Sequence, residues 1–194
     1  MHEEREPRFL LLYSIGGFRY CDLLLSQGKY GEVQNRVGHT MIRAKSEGNL
    51  LDIAHNYLSL GRAHLLEVQQ KAKADFSQAA NQLDHAVEGL RLAGQQVELP
   101  RGLLLLARAA LHRVHGRPTR SQTDLDEAMS IAQRGVMRLF EADAHLEYAR
   151  LHLAMGDAEK ARESLATAKA MIEEMDYHRR DPEVEELESR LAKR

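Results

Sequence analysis

An all-α solenoid of four helix pairs, closed by a C-terminal capping helix, is the fold this sequence predicts. Three observations carry that expectation. The 194 residues contain 29 leucines and 24 alanines against 8 valines, 5 isoleucines and 4 threonines, which favours helix and leaves little material for a large sheet. Next, one apolar pattern recurs: from Val37, Leu83, Leu125 and Leu165, further stripe positions follow three, four and seven residues on, at successive steps of 46, 42 and 40 residues. That is the spacing of an amphipathic helix that buries one face. Finally, Gly28, Gly116 and Gly156 each stand nine residues before a stripe residue, where a glycine can close the preceding helix in the left-handed conformation. A helix pair of this size cannot bury its apolar face alone, so consecutive pairs must stack.

The elements follow in order. A first helix over 8–27 ends at Gly28, and its partner over 30–46 carries Val37, Thr40, Met41 and Ala44. The second pair spans 50–70 and 75–94. It lacks the turn glycine, its connection runs from Glu67 to Asp75, and Asp75 is the expected cap. The third pair, 99–115 and 119–133, turns at Gly116-Arg117-Pro118. The fourth, 138–155 and 157–175, turns at Gly156-Asp157, with Asp157 placed to cap. A last helix over 182–193 starts after Asp181-Pro182, a good N-cap and first-turn pair. One repeat domain thus covers 1–194, with repeats at about 8–47, 48–95, 98–134 and 137–176.

Composition also bounds function. Twenty-seven basic and 29 acidic residues leave a formal charge of −2, so no global basic field argues for nucleic acid. The longest apolar runs, Phe9 to Tyr13 and Leu103 to Leu106, are far shorter than the roughly 18 residues of a membrane helix, so no membrane partner is expected. Glu3, Glu4 and Glu6 do not suit the start of a signal peptide, and Cys21 is the single cysteine, read as a buried small hydrophobe. A cytoplasmic location is the expectation.

These residues resemble the tetratricopeptide repeat (TPR) family. Leu60-Gly61 with Tyr57 is similar to that family's helix-A pattern, and Gly28-Lys29-Tyr30 to its turn. Ala79, Leu83 and Ala86 resemble helix B, as do Ala161, Leu165 and Ala168. The repeats run to about 40 residues where the family usually has 34, and Pro118 and Ser121 depart from its pattern. The resemblance implies a right-handed α-solenoid of four TPR-like helix pairs plus the capping helix. It also implies a protein- or peptide-binding scaffold that uses a concave wall made by the first helix of each pair. Arg19 and Asp22 fall on that wall from the first repeat, His55, Leu58 and Arg62 from the second, and Leu106 and Ala110 from the third. Asp143, Leu146, Glu147 and Arg150 come from the fourth. The partner-binding candidates are therefore Arg19, Asp22, His55, Arg62, Asp143, Glu147 and Arg150, with arginines suited to gripping a carboxylate. Their mixed signs point to a polar or zwitterionic peptide surface, with a homodimer through the N-terminal repeat as one mode of self-association.

Stretches such as Leu58 to Leu65 and Tyr177 to Pro182 also look like the C-terminal repeat arrays of large bacterial multidomain proteins. That likeness implies an alternative role, a regulatory or sensor arm of a larger signalling protein whose switch or effector domain lies elsewhere in the chain.

No motif makes the chain an enzyme. It has no Gly-x-x-x-x-Gly-Lys-Ser/Thr loop and no Gly-x-Ser-x-Gly elbow, and no cofactor is expected. The ten histidines raise a remote alternative, a metal-dependent hydrolase. However, His64, His112 and His152 recur one helix-pair step apart, about 10 Å, whereas zinc ligands lie about 2 Å from one ion. They read as packing residues. Asp124, Asp126 and Glu127 lack a calcium loop's glycine and spacing and read as acids of a first helical turn. Arg179, Arg180 and Arg190, interleaved with acids, read as a solvated cap.

Overall fold

The computed structural model describes residues 12, 14–71, 75–93, 108–114 and 116–193, and among them every regular element is helical. The helices are α1 (Ser14–Ser26), α2 (Tyr30–Ser46), α3 (Leu50–Gln70), α4 (Ser77–Leu92), α5 (108–114), α6 (Pro118–Arg134), α7 (Arg138–Met155), α8 (Ala158–Glu174) and α9 (Asp181–Ala192). A 3-10 turn, His178–Arg180, leads into α9. None of these helices is long and apolar enough to cross a membrane. The chain forms two compact units, Met1–Gln95 and Gln96–Arg194.

Helices adjacent in sequence pack together within each unit. In the first, α1 touches α2 and α3, and α3 lies between α2 and α4. In the second, α7 packs on α6 and α8, and α9 closes against α7 and α8. The predicted stripes form these contacts: Val37, Leu83, Leu125 and Leu165 are all buried. So are the residues three positions on, Thr40, Ala86, Ala128 and Ala168, and seven positions on, Ala44, Leu90, Ala132 and Ile172. The position four residues on is uneven, since Lys169 is exposed and pairs with Glu188 of α9 at 2.8 Å. Cys21 is buried in the first core beside Leu24 and Leu25, and burial pushes its thiol pKa up.

Two turn geometries alternate around each stripe. Within a pair, Gly28, Gly116 and Gly156 have φ of +71°, +67° and +84°. The next residue's N–H donates to the carbonyl five residues back: Lys29 to Leu24 at 3.0 Å, Arg117 to His112 at 2.8 Å and Asp157 to His152 at 2.9 Å. These are the expected helix closures. Between pairs the same closure recurs at Gly48, Val136 and Asp176, each 11 residues beyond its stripe residue and each with positive φ. Asn49, Met137 and Tyr177 there donate to Ala44, Ala132 and Ile172 at 3.0, 2.8 and 2.9 Å. The sequence reading missed this second turn because only one of the three residues is glycine.

Gly61 sets the closest approach of α3 and α4. A Cβ at this position would stand 2.7 Å from both Cγ and Cδ2 of Leu83, a fully buried side chain. Near the other end of the pair, a Cβ on Gly89 would meet that of Ala54 at 3.3 Å. Small residues here let two backbones meet.

Cap positions differ slightly from expectation. Asn49 caps α3 by accepting from the Asp52 N–H at 3.1 Å, and Asp157 caps α8 through Lys160 N–H at 3.1 Å, as its position predicts. Asp75 accepts from Ser77 N–H at 2.9 Å, but Phe76 holds the N-cap position. Asp181 lies inside α9 and Arg180 precedes it, because the 3-10 turn runs into the helix without a break. Val184, Leu187 and Leu191 seat α9 on the second core, each side chain contributing about 1.5–3 kcal/mol of burial.

Candidate functional site

The wall residues of the first unit sit on α1 and α3. Arg19 is exposed. Asp22 accepts from Arg62 Nη2 at 2.7 Å, so α1 and α3 are joined by an ion pair whose side chains are 24% and 22% exposed. The Nη1 of Arg62 is buried and makes no hydrogen bond within the protein. His55 is only 3% exposed and stacks on Phe18 of α1, with ring centroids 5.1 Å apart. Burial lowers its pKa and the nearby Asp52 charge raises it less, so the ring is held neutral. Its Nδ1 lacks a partner within the protein, and the ring lines a cavity of about 190 Å³ between α1, α2 and α3.

In the second unit the wall carboxylates are buried and engaged. Asp143 accepts from Nε and Nη2 of Arg180 at 2.6 and 2.8 Å. Burial opposes the Arg180 charge, but Asp143 outweighs it and the guanidinium pKa is raised. Glu147 accepts from Arg113 Nε at 2.5 Å and from Arg150 Nη1 at 3.3 Å. Leu58 and Leu146 belong to the core, Ala110 is half-buried, and Leu106 lies outside the described residues.

The structure therefore brings Asp22 to Arg62, and Glu147 to Arg150, while Arg19 stands apart on the surface. Each engaged arginine makes its contact with a carboxylate of the protein itself. Partly buried pairs of this kind hold neighbouring helices in register. Removing one partner from a fully buried pair costs about 3–5 kcal/mol, and solvent screening reduces that here.

Sequence reading missed the arginines that complete these pairs. Arg180 was grouped with a solvated cap, yet it is anchored by Asp143 and by Glu183 at 2.8 Å. Arg108 grips Asp124 through two bonds of 2.6 and 2.8 Å. Asp124 sits in the middle of α6, where it faces α5, and not in a first turn. Its one sequence signal was a carboxylate one residue before the stripe leucine, on the buried side of the helix.

The repeated histidines each have local neighbours. His64 Nδ1 is 3.5 Å from Gln34 Nε2, His112 Nε2 is 3.7 Å from Asp124, and His152 stacks on Tyr148. Among the described residues, no three His, Cys, Asp or Glu side chains gather as metal ligands. Of the predicted dimer seam Phe9 to Tyr13, only Leu12 is described, and it is exposed.

No family model, curated protein or solved structure matches the chain.

Proposed function

We propose that the chain is a TPR-like, right-handed α-solenoid that works as a protein- or peptide-binding scaffold through the wall formed by the first helix of each pair. The observation that carries this reading is the recurrence of both turn geometries at fixed offsets from the buried stripe residue. Such repetition is how repeat proteins extend a surface, and that surface is what they use for binding. The paired charges of α1, α3 and α7 add a second support, since they hold the first helices side by side without filling the wall with apolar side chains. A partner exchanging its own carboxylate for Asp22 or Glu147 would meet an arginine already oriented for it.

The test is affinity capture from native lysate with the wild-type chain and an Arg19→Ala/Arg62→Ala/Arg150→Ala variant. A stoichiometric partner held only by the wild type, with matching circular dichroism, is the expected result. A partner retained equally by both proteins removes the wall from the account.

A further inference from the structure

The cavity between α1, α2 and α3 has a chemistry of its own, independent of the scaffold reading. Its volume of about 190 Å³ equals that of about six water molecules at about 30 Å³ each. The lining is polar: Arg36, Thr40, Arg43 and Glu47 from α2 face Asp52, His55, Asn56 and Ser59 from α3, with Phe18 and Cys21 closing the α1 side.

Two of the four charges on this lining satisfy each other, since Arg43 Nε donates to Glu47 at 2.6 Å. Asp52 and Arg36 remain, one of each sign. Asp52 Oδ2 accepts from Asn49 Nδ2 at 3.0 Å, whereas its Oδ1 is buried and makes no hydrogen bond within the protein. His55 Nδ1, one turn along α3, is buried in the same condition. Leaving such groups unsatisfied costs about 1–3 kcal/mol each, more for a carboxylate, so the pair favours a donor group that reaches both. Arg36 lies toward the other end, beside Cys21 and Ser59, and its guanidinium also donates to the Leu12 carbonyl and covers the Tyr20 ring. Gly17 keeps this end open, because a Cβ there would overlap the Leu12 carbonyl oxygen and stand 3.4 Å from Arg36 Nη2. From Ser59 to Asp52 the helix runs seven residues, about 10 Å at 1.5 Å per residue.

We infer that this cavity binds a small zwitterion of the ω-amino acid or dipeptide class, its ammonium at Asp52 and His55 and its carboxylate at Arg36. The separation of the two ends excludes a compact α-amino acid from bridging both. Phe18 and the His55 ring supply a flat wall for the intervening methylene or peptide unit.

Calorimetric titration of the full chain with 6-aminohexanoate and with diglycine tests this, using hexanoate and hexylamine as probes of a single charge. At least one zwitterion should bind at millimolar concentration, with each single-charge probe weaker by about tenfold or more. Asp52→Asn, which keeps the side chain's shape, should cost the zwitterion about tenfold while the far-ultraviolet spectrum is unchanged. No heat from either zwitterion overturns the inference, as does equal binding of hexanoate or hexylamine. Unchanged affinity in Asp52→Asn also overturns it. Because the wild-type comparison alone decides between zwitterion and single charge, a variant that fails to fold does not leave the question open.

Discussion

Two glycines in neighbouring helices should respond to the same substitution with opposite signs. Gly38 lies on the exposed face of α2 and a Cβ there would meet nothing within 4 Å. Replacing it with alanine relieves the backbone-entropy penalty of a helical glycine, so Gly38→Ala should stabilise by about 0.8–1.0 kcal/mol. Gly61→Ala carries the same gain, but its methyl carbon would stand 2.7 Å from Leu83 Cγ and 3.2 Å from the Leu83 backbone nitrogen. The backbone cannot turn aside and the buried leucine has no empty space to enter. Overpacking of this kind costs about 1–3 kcal/mol, which outweighs the propensity gain and leaves a net loss of about 1 kcal/mol. Urea unfolding followed by circular dichroism resolves the difference, since slopes of about 1–3 kcal/mol/M convert 1 kcal/mol into a midpoint shift of roughly half a molar. A cycle with Leu83→Ala adds a second reading. That change alone should cost about 2–5 kcal/mol, and less in the Gly61→Ala background, where the new methyl fills part of the space. A Gly61→Ala protein as stable as wild type would refute the close approach of α3 and α4.

Two further outcomes follow from local features. Val136 is 78% exposed and holds φ of +52°, a conformation that costs an L-residue about 1–2 kcal/mol. Val136→Gly should therefore stabilise by about 0.5–1 kcal/mol after glycine's own entropy is set against the relief, and Val136→Ala should not; equal effects in a thermal melt would rule out backbone strain as the cause. The second concerns pH: burial lowers the pKa of His55, with half-buried His64 and His145 shifted the same way. The neutral forms favour the fold, so this stability is present above the ordinary histidine value of about 6.5 and is lost as pH falls through the folded values. Midpoints in urea should drop between about pH 7.5 and about pH 5.5, at up to about 1.4 kcal/mol per pH unit for each proton taken up only on unfolding, and His55→Gln should flatten the slope. A midpoint that rises on acidification would contradict the neutral burial of these rings.

The sequence by itself determined the helices, their buried faces and the turns inside each pair. Helical burial is periodic, so Val37, Leu83, Leu125 and Leu165 announce the same face in four places, and all four are buried. A glycine closing a helix leaves a residue-type signature, which made Gly28, Gly116 and Gly156 legible. The closures at Val136 and Asp176 left none, because packing of the next helix can hold an ordinary residue in a conformation it would not choose. Tertiary structure alone decided which charges meet. Asp22 and Arg62 are 40 residues apart, Arg113 and Glu147 are 34 apart, and Asp143 and Arg180 are 37 apart. Their pairing depends on the rotation and offset of whole helices, so the same residues read from sequence as a free charged wall. His55 shows the same limit: its position on α3 was legible, but its turn away from solvent into the α1–α2–α3 cavity required all three helices to be in place.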